Sequence, residues 1–230
     1  MNLIFQHWVN LNNSNTLPRW AEIAMGSIRS YAEHVGSDYI LVDGYPLGKE
    51  RGVVAQKLFM LDEKFDEYDD VLLLDTDMLA SRKHKQNAFD EPGVGRLHLK
   101  AMSGAKNSKQ GRHWPGMYKQ GAPIFFGNFI KLTREQRITL RNFMPSIELI
   151  KNNMGDKRAS RYLNSNPPND EQCLHWMIWQ SGIFDHMSHD DLMVNHNKYC
   201  DMPEECSNDA TLIHFCGSRK NNIEQYSRDI

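Results

Sequence analysis

The sequence predicts an α/β fold built around a parallel sheet, and three observations carry that expectation. Apolar runs of strand length alternate with amphipathic helical stripes over the first 75 residues. The third run, Val71-Leu72-Leu73-Leu74, is apolar without interruption, as a strand covered on both faces must be. It stops abruptly at Asp75-Thr76-Asp77, and in such sheets ligands sit beyond the carboxyl ends of the strands.

The elements follow in order. Leu3-Ile4-Phe5 starts the first strand. Pro18 occupies a first-turn position, and Trp20, Ile23, Ala24, Ile28, Tyr31, Ala32 and Val35 recur at steps of three and four, predicting a helix closed near Gly36. Tyr39–Val42 is the second strand, and Gly44, Pro46 and Gly48 punctuate a loop. Val53, Val54, Lys57, Leu58, Leu61 and Phe65 form a second helical stripe. His84 to Gln120 reads as one long polar connection, of the kind that serves function. Gly121–Ile130 has strand composition, and Thr133 with Gln136 predicts a capping box for a helix that ends by Pro145. Pro167-Pro168 lies in a loop before a helix from Asp170 to about Gln180, stopped by Gly182. Leu192–Val194 and Thr211–Phe215 are the last predicted strands.

At 230 residues and 26.7 kDa the chain suits one domain, residues 1–230, with enough length for a sizeable core. The 40% apolar and 24% charged content excludes collagen-like and disordered classes. A net charge of -2 lacks the overall basic footprint of a nucleic-acid binder. No apolar run reaches membrane-spanning length, and the N-terminus has neither the basic nor the apolar region of a signal peptide. The expectation from these features is a cytoplasmic protein. Cys173, Cys200, Cys206 and Cys216 are too sparse for a disulfide framework and read as free thiols.

Two motifs carry the chemistry. Asp75 and Asp77 place two carboxylates, with one residue between them, at the end of a buried strand, where hard divalent cations find the oxygen ligands they prefer. Near the C-terminus His214-Phe215-Cys216-Gly217-Ser218-Arg219-Lys220 reads His-x-x-Gly-x-x-Lys. An imidazole is a further metal ligand, a glycine lets backbone approach phosphate, and a lysine neutralises it. Asp170 opens its helix as an N-cap, as a catalytic carboxylate, or as both. Lys57 is either a surface lysine or a phosphate contact, and Asp43 and Arg51 are weaker nucleotide-contact candidates. Trp176 and Trp179 read as core or cleft wall. His186, His189 and His196 with Cys200 and Cys206 do not have the spacing of a standard zinc site.

The two motifs, in this order, resemble the GT-A-fold nucleotide-sugar glycosyltransferases, and most nearly family 8, the group of glycogenin and the lipopolysaccharide galactosyltransferases. The resemblance implies a GT-A-like fold, a Rossmann-like β-α-β sheet with helices on both faces. It implies a hexosyltransferase that moves a sugar from a nucleotide sugar, a UDP-sugar, to a carbohydrate or glycan acceptor with retention. It assigns Asp75, Asp77 and His214 to manganese, with magnesium as a substitute. It also assigns Asp75 to the ribose, Gly217 and Lys220 to the diphosphate, and Lys57 to the nucleotide or diphosphate. An acidic residue in the position of Asp170 faces the acceptor and the anomeric carbon. The sequence departs from the family in having Asn221-Asn222 after the lysine, and in having "FFGNFIKL" where the family has an Asn-x-Gly strand. Two alternatives stand beside this reading. One is a haloacid-dehalogenase-type phosphohydrolase, which also places Asp-x-Asp after an apolar strand. The other is a non-catalytic module that binds sugar nucleotides or carbohydrate.

Overall fold

The computed structural model describes residues 1–10, 16–83, 86–90, 95–97, 125–149, 170–183, 199–200 and 210–229. Its main sheet has five strands: β1 (Asn2–Trp8), β2 (Asp38–Asp43), β3 (Asp70–Leu74), β5 (Gly95–Leu97) and β6 (Phe125–Thr133), ordered β2-β1-β3-β6-β5. The first three run parallel, β6 pairs antiparallel with β3, and β5 pairs antiparallel with β6. A second sheet, ordered β4-β8-β7, joins β4 (Met78–Ala80), β8 (Leu212–His214) and β7 (Tyr199–Cys200). The helices are α1 (Arg19–Val35), α2 (Arg134–Arg141), α3 (Asp170–Ser181) and α4 (Ile223–Asp229).

The alternation of side chains along a strand gives the main sheet two covered faces. Leu3, Phe5, Val71, Leu73, Ile130 and Leu132 point to one face and pack with Leu58, Met60 and Phe65 and with Leu174 and Met177 of α3. Ile4, Leu72, Leu74 and Phe129 point to the other and pack with Ile28, Tyr31 and Ala32 of α1. This is the mixed α/β, single-domain architecture expected, with helical segments on both faces. Trp176 and Trp179 are half-buried against the first of these cores.

Helix α1 begins after Pro18 and ends at Gly36, whose φ of 67° lies in the left-handed region. Its amide donates back to the carbonyls of Ala32 and Glu33. A Cβ at Gly36 would meet nothing within 4 Å, so Gly36→Ala isolates the backbone cost. The expected loss is about 1 kcal/mol, a fall in Tm of roughly 2–4 °C in a melting experiment. The capping box is present at α2: Gln136 N–H donates to Thr133 Oγ1 at 3.2 Å, and Thr133 N–H donates to Gln136 Oε1 at 2.9 Å.

The stripe from Val53 to Phe65 is not an α-helix but two 3-10 stretches, Val54–Leu61 and Glu63–Phe65, with a further 3-10 turn, Lys49–Arg51, before it. Ala55, Gln56, Leu58, Met60 and Leu61 are buried, while Val54 is left 39% exposed. Gln56 tightens the preceding turn by accepting from Leu47 N–H and donating to the carbonyls of Gly48 and Gly52. The expected connection from His84 to Gln120 contains a strand, β5, because β6 offers it a free side to pair with. Most of that connection, the strand expected at Leu192–Val194 and the His186, His189 and His196 group lie outside the described residues. Among the described residues Cys173 is a buried and Cys216 an exposed free thiol. No helix among them is long and apolar enough to cross a membrane.

Candidate metal and nucleotide site

The carboxyl ends of β1, β2 and β3 lie along one edge of the sheet, and Asp75-Thr76-Asp77 leaves that edge to enter β4. The ladder of the small sheet then delivers the distant motif. Met78 pairs with His214, and Phe215 N–H donates to the Asp77 carbonyl at 2.9 Å. His214 is thereby carried beside the two aspartates. Ligand atoms of Asp75, Asp77 and His214 all lie within 4.8 Å of one another. His214 Nε2 is 3.2 Å from Asp77 Oδ1 and 3.9 Å from Asp75 Oδ2. A hard cation that holds ligands at about 2.1 Å keeps neighbouring ones about 3 Å apart, so the donor set fits such an ion.

Each carboxylate also meets a lysine. Lys57 Nζ lies 2.5 Å from Asp75 Oδ1 and reaches the Gly127 carbonyl at 3.4 Å. Lys220 Nζ lies 2.9 Å from Asp77 Oδ2 and 5.0 Å from the centre of the Trp20 ring. Burial by itself works against the charge of Asp77. The hydrogen bonds and positive charges of His214 and Lys220 outweigh it and hold the Asp77 carboxyl down at about 2. The folded pKa is depressed, so this stabilisation is complete above the ordinary value of 3.8 and is lost as pH falls through about 2.

Lys220 comes from a 3-10 turn, Gly217–Asn222. Gly217 begins it at φ 63°, and a Cβ there would meet nothing within 4 Å, so backbone conformation accounts for the glycine. Asp170 is the first residue of α3, which packs on the 3-10 stretch carrying Lys57 and on β6. Asp43 closes β2 opposite Trp8. Arg51 donates to the Pro145 carbonyl at 2.9 Å, a tie between loops.

Sequence reasoning missed several supporting residues. Gln6 is fully buried in β1; its Nε2 donates to the Asp75 carbonyl at 2.9 Å, and its Oε1 accepts from Tyr39 Oη–H at 2.8 Å. A polar residue directly after Leu3, Ile4 and Phe5 was the available signal. His7 donates from Nε2 to the Gly44 carbonyl at 2.7 Å, and burial lowers its pKa. Trp8 and Trp20 meet edge to face with centroids 5.9 Å apart, beside Lys220. Asn128, in the "FFGNF" block, sits against both Asp75 and His214.

No family model matches the chain, and no curated protein matches it by sequence. Among solved structures it is similar to the crystal structure of a glycosyltransferase involved in the glycosylation of the major capsid of PBCV-1. The TM-score is 0.55 at 14% identity, over 97% of this chain and 98% of that one. A likeness at this identity is a likeness of fold.

Proposed function

We propose that the protein is a metal-dependent glycosyltransferase of GT-A type, resembling family 8. It would move a hexose from a nucleotide sugar, a UDP-sugar, to a carbohydrate or glycan acceptor with retention. The observation that carries this reading is the convergence of Asp75, Asp77 and His214 at the carboxyl edge of the parallel sheet. A fold shared end to end with a glycosyltransferase supports it. Two carboxylates and one imidazole suit manganese, with magnesium as a substitute.

When bound, the cation supplies Lewis-acid stabilisation of the charge that builds on the departing diphosphate. The chain's own residues do the rest. Asp75, Asp77 and His214 hold the ion, and Asp75 also meets the ribose. Lys220, backed by Arg219 and the Gly217 turn, places fixed positive charge at the phosphates. Lys57 holds Asp75 in place and adds a second positive charge at the nucleotide. Asp170 serves as the carboxylate facing the anomeric carbon. In this reading residues 1–80 bind the nucleotide and residues 120–230 complete the metal and acceptor side of one domain.

The test is a melting panel of nucleoside diphosphates and nucleotide sugars, with and without Mn2+, followed by product analysis. A Mn2+-dependent rise with uridine nucleotides and release of nucleoside diphosphate from the donor are expected. Phosphate released from monoesters, without nucleotide binding, would favour the phosphohydrolase alternative, and binding without turnover the non-catalytic module. Asp170→Asn is expected to lower turnover far more than donor affinity. Asp170 lies inside the first turn of α3 rather than at its N-cap, and matching losses of stability and activity would assign it to that turn alone.

A further inference from the structure

Asn128 is a buried amide in an apolar strand, 5% exposed, with Phe129 and Ile130 following it in β6. Burying an amide there is costly unless it is hydrogen-bonded. Its two polar ends reach the two separate parts of the cation site. The main-chain carbonyl accepts from Asp75 N–H at 3.0 Å, extending the β3–β6 ladder one step past Leu74 and Phe129. The side-chain amide lies 2.8 Å from His214 Nδ1. We propose that Asn128 is a positioning residue that sets the orientation and tautomer of His214 for cation binding. The inference rests on the cation-site reading above and adds the residue that prepares its imidazole.

The two ring nitrogens of His214 have different duties. Nε2 is the nitrogen that faces Asp75 and Asp77, so it is the one available to a cation. A neutral imidazole that ligates through Nε2 must carry its proton on Nδ1. Asn128 then has to offer an acceptor, and its amide oxygen does so after a half-turn about χ2. With the proton on Nε2 and donated to Asp77, the amide nitrogen donates to the bare Nδ1 instead. An amide therefore satisfies both ring states. A carboxylate in its place satisfies only the Nδ1–H state, the one that ligates, and an apolar side chain satisfies neither. Partners of this kind, on the far nitrogen of a ligating histidine, fix the ring and raise its basicity.

The experiment compares wild type, Asn128→Leu and Asn128→Asp. Mn2+ is titrated in the presence of UDP, and free Mn2+ is followed by its paramagnetic resonance. Asn128→Leu is expected to weaken Mn2+ about 10- to 100-fold, and Asn128→Asp to bind as tightly as wild type or tighter. At a Mg2+ concentration that just saturates wild type, the nitrogen-15 spectrum of His214 is expected to show the Nδ1–H tautomer in wild type and Asn128→Asp, and a mixture in Asn128→Leu, whose weaker site is only partly filled. A purely structural role would not produce this ordering. Asn128→Leu that binds Mn2+ like wild type overturns the inference, as does Asn128→Asp that binds as weakly as Asn128→Leu. If Asn128→Leu does not fold, the spectrum and affinity of Asn128→Asp decide alone: loss of the Nδ1–H tautomer or of Mn2+ binding overturns it. Wild-type protein that takes up no Mn2+ removes the cation reading itself, and this inference with it.

Discussion

Asp77→Ala is expected to abolish the Mn2+-dependent stabilisation of the protein by nucleoside diphosphate. In wild type, ligand at a hundred times its dissociation constant adds about 2.7 kcal/mol, a rise in Tm of roughly 5–10 °C for a chain of this size. Asp77 is 6% exposed and stands between His214 and Lys220; one carboxylate oxygen faces His214, where the proposed ion would sit, and the other holds Lys220. Its removal takes away a ligand and leaves the lysine charge facing the place the cation must enter. The unliganded variant is expected to melt somewhat below wild type, because the stabilisation that keeps the Asp77 carboxyl at about 2 is lost with it. The sign of that value also fixes the pH behaviour. Between neutral pH and about pH 5 the Asp77 charge is constant, so a decline in Mn2+ binding over that range must come from another group. Asp77→Ala that retains the full Mn2+-dependent shift would sink the metal assignment.

The largest expected effect on stability is at Arg137. The residue is 0% exposed, and its guanidinium donates to the Leu132 carbonyl at 2.9 Å, to Phe65 at 2.9 Å and to Tyr68 at 2.7 Å. One side chain of α2 thus ties β6 to the segment that leads into β3. Burial lowers its pKa, but a guanidinium titrates so high that it stays charged. Arg137→Met keeps much of the aliphatic volume and removes all three donors. Hydrogen bonds from a charged group contribute about 1.5–3 kcal/mol each and do not simply add, so a loss of roughly 3–5 kcal/mol is expected. That corresponds to a fall in Tm of about 10 °C or more. Arg137→Lys should recover only part of it, since a lysine has no planar fork to reach three carbonyls at once. A near-wild-type Tm for Arg137→Met would show that the three carbonyls find other donors and that the tie is dispensable.

Much of the fold was legible in the sequence because its signals are local. The stripe from Trp20 to Val35 is a helix because side chains at steps of three and four share a face, and Pro18 and Gly36 bound it as single residues can. The pair Thr133 and Gln136 specifies its own capping box within one turn. The four apolar residues before Asp75 place a buried strand, and the aspartates at its end, without reference to any other part of the chain.

What the sequence by itself determined is therefore the set of early strands and helices, the face each one buries, and the residue types at the carboxyl edge. The tertiary structure decided which residues meet there. Periodicity alone does not distinguish a 3-10 series from an α-helix over Val54–Leu61; packing of Ala55, Leu58 and Leu61 in the interior, and the bonds of Gln56, settle it. Nor does local pattern reveal that β6 runs antiparallel beside β3, or that β8 pairs with β4 and brings His214 to Asp77. The same is true of Lys57 on Asp75, Lys220 on Asp77 and Asn128 on His214. A strand records in its own residues which faces are buried, but its edges offer the same backbone donors and acceptors to any partner. The choice of partner lies in the packing of the whole chain, and the candidate site exists only once that choice has been made.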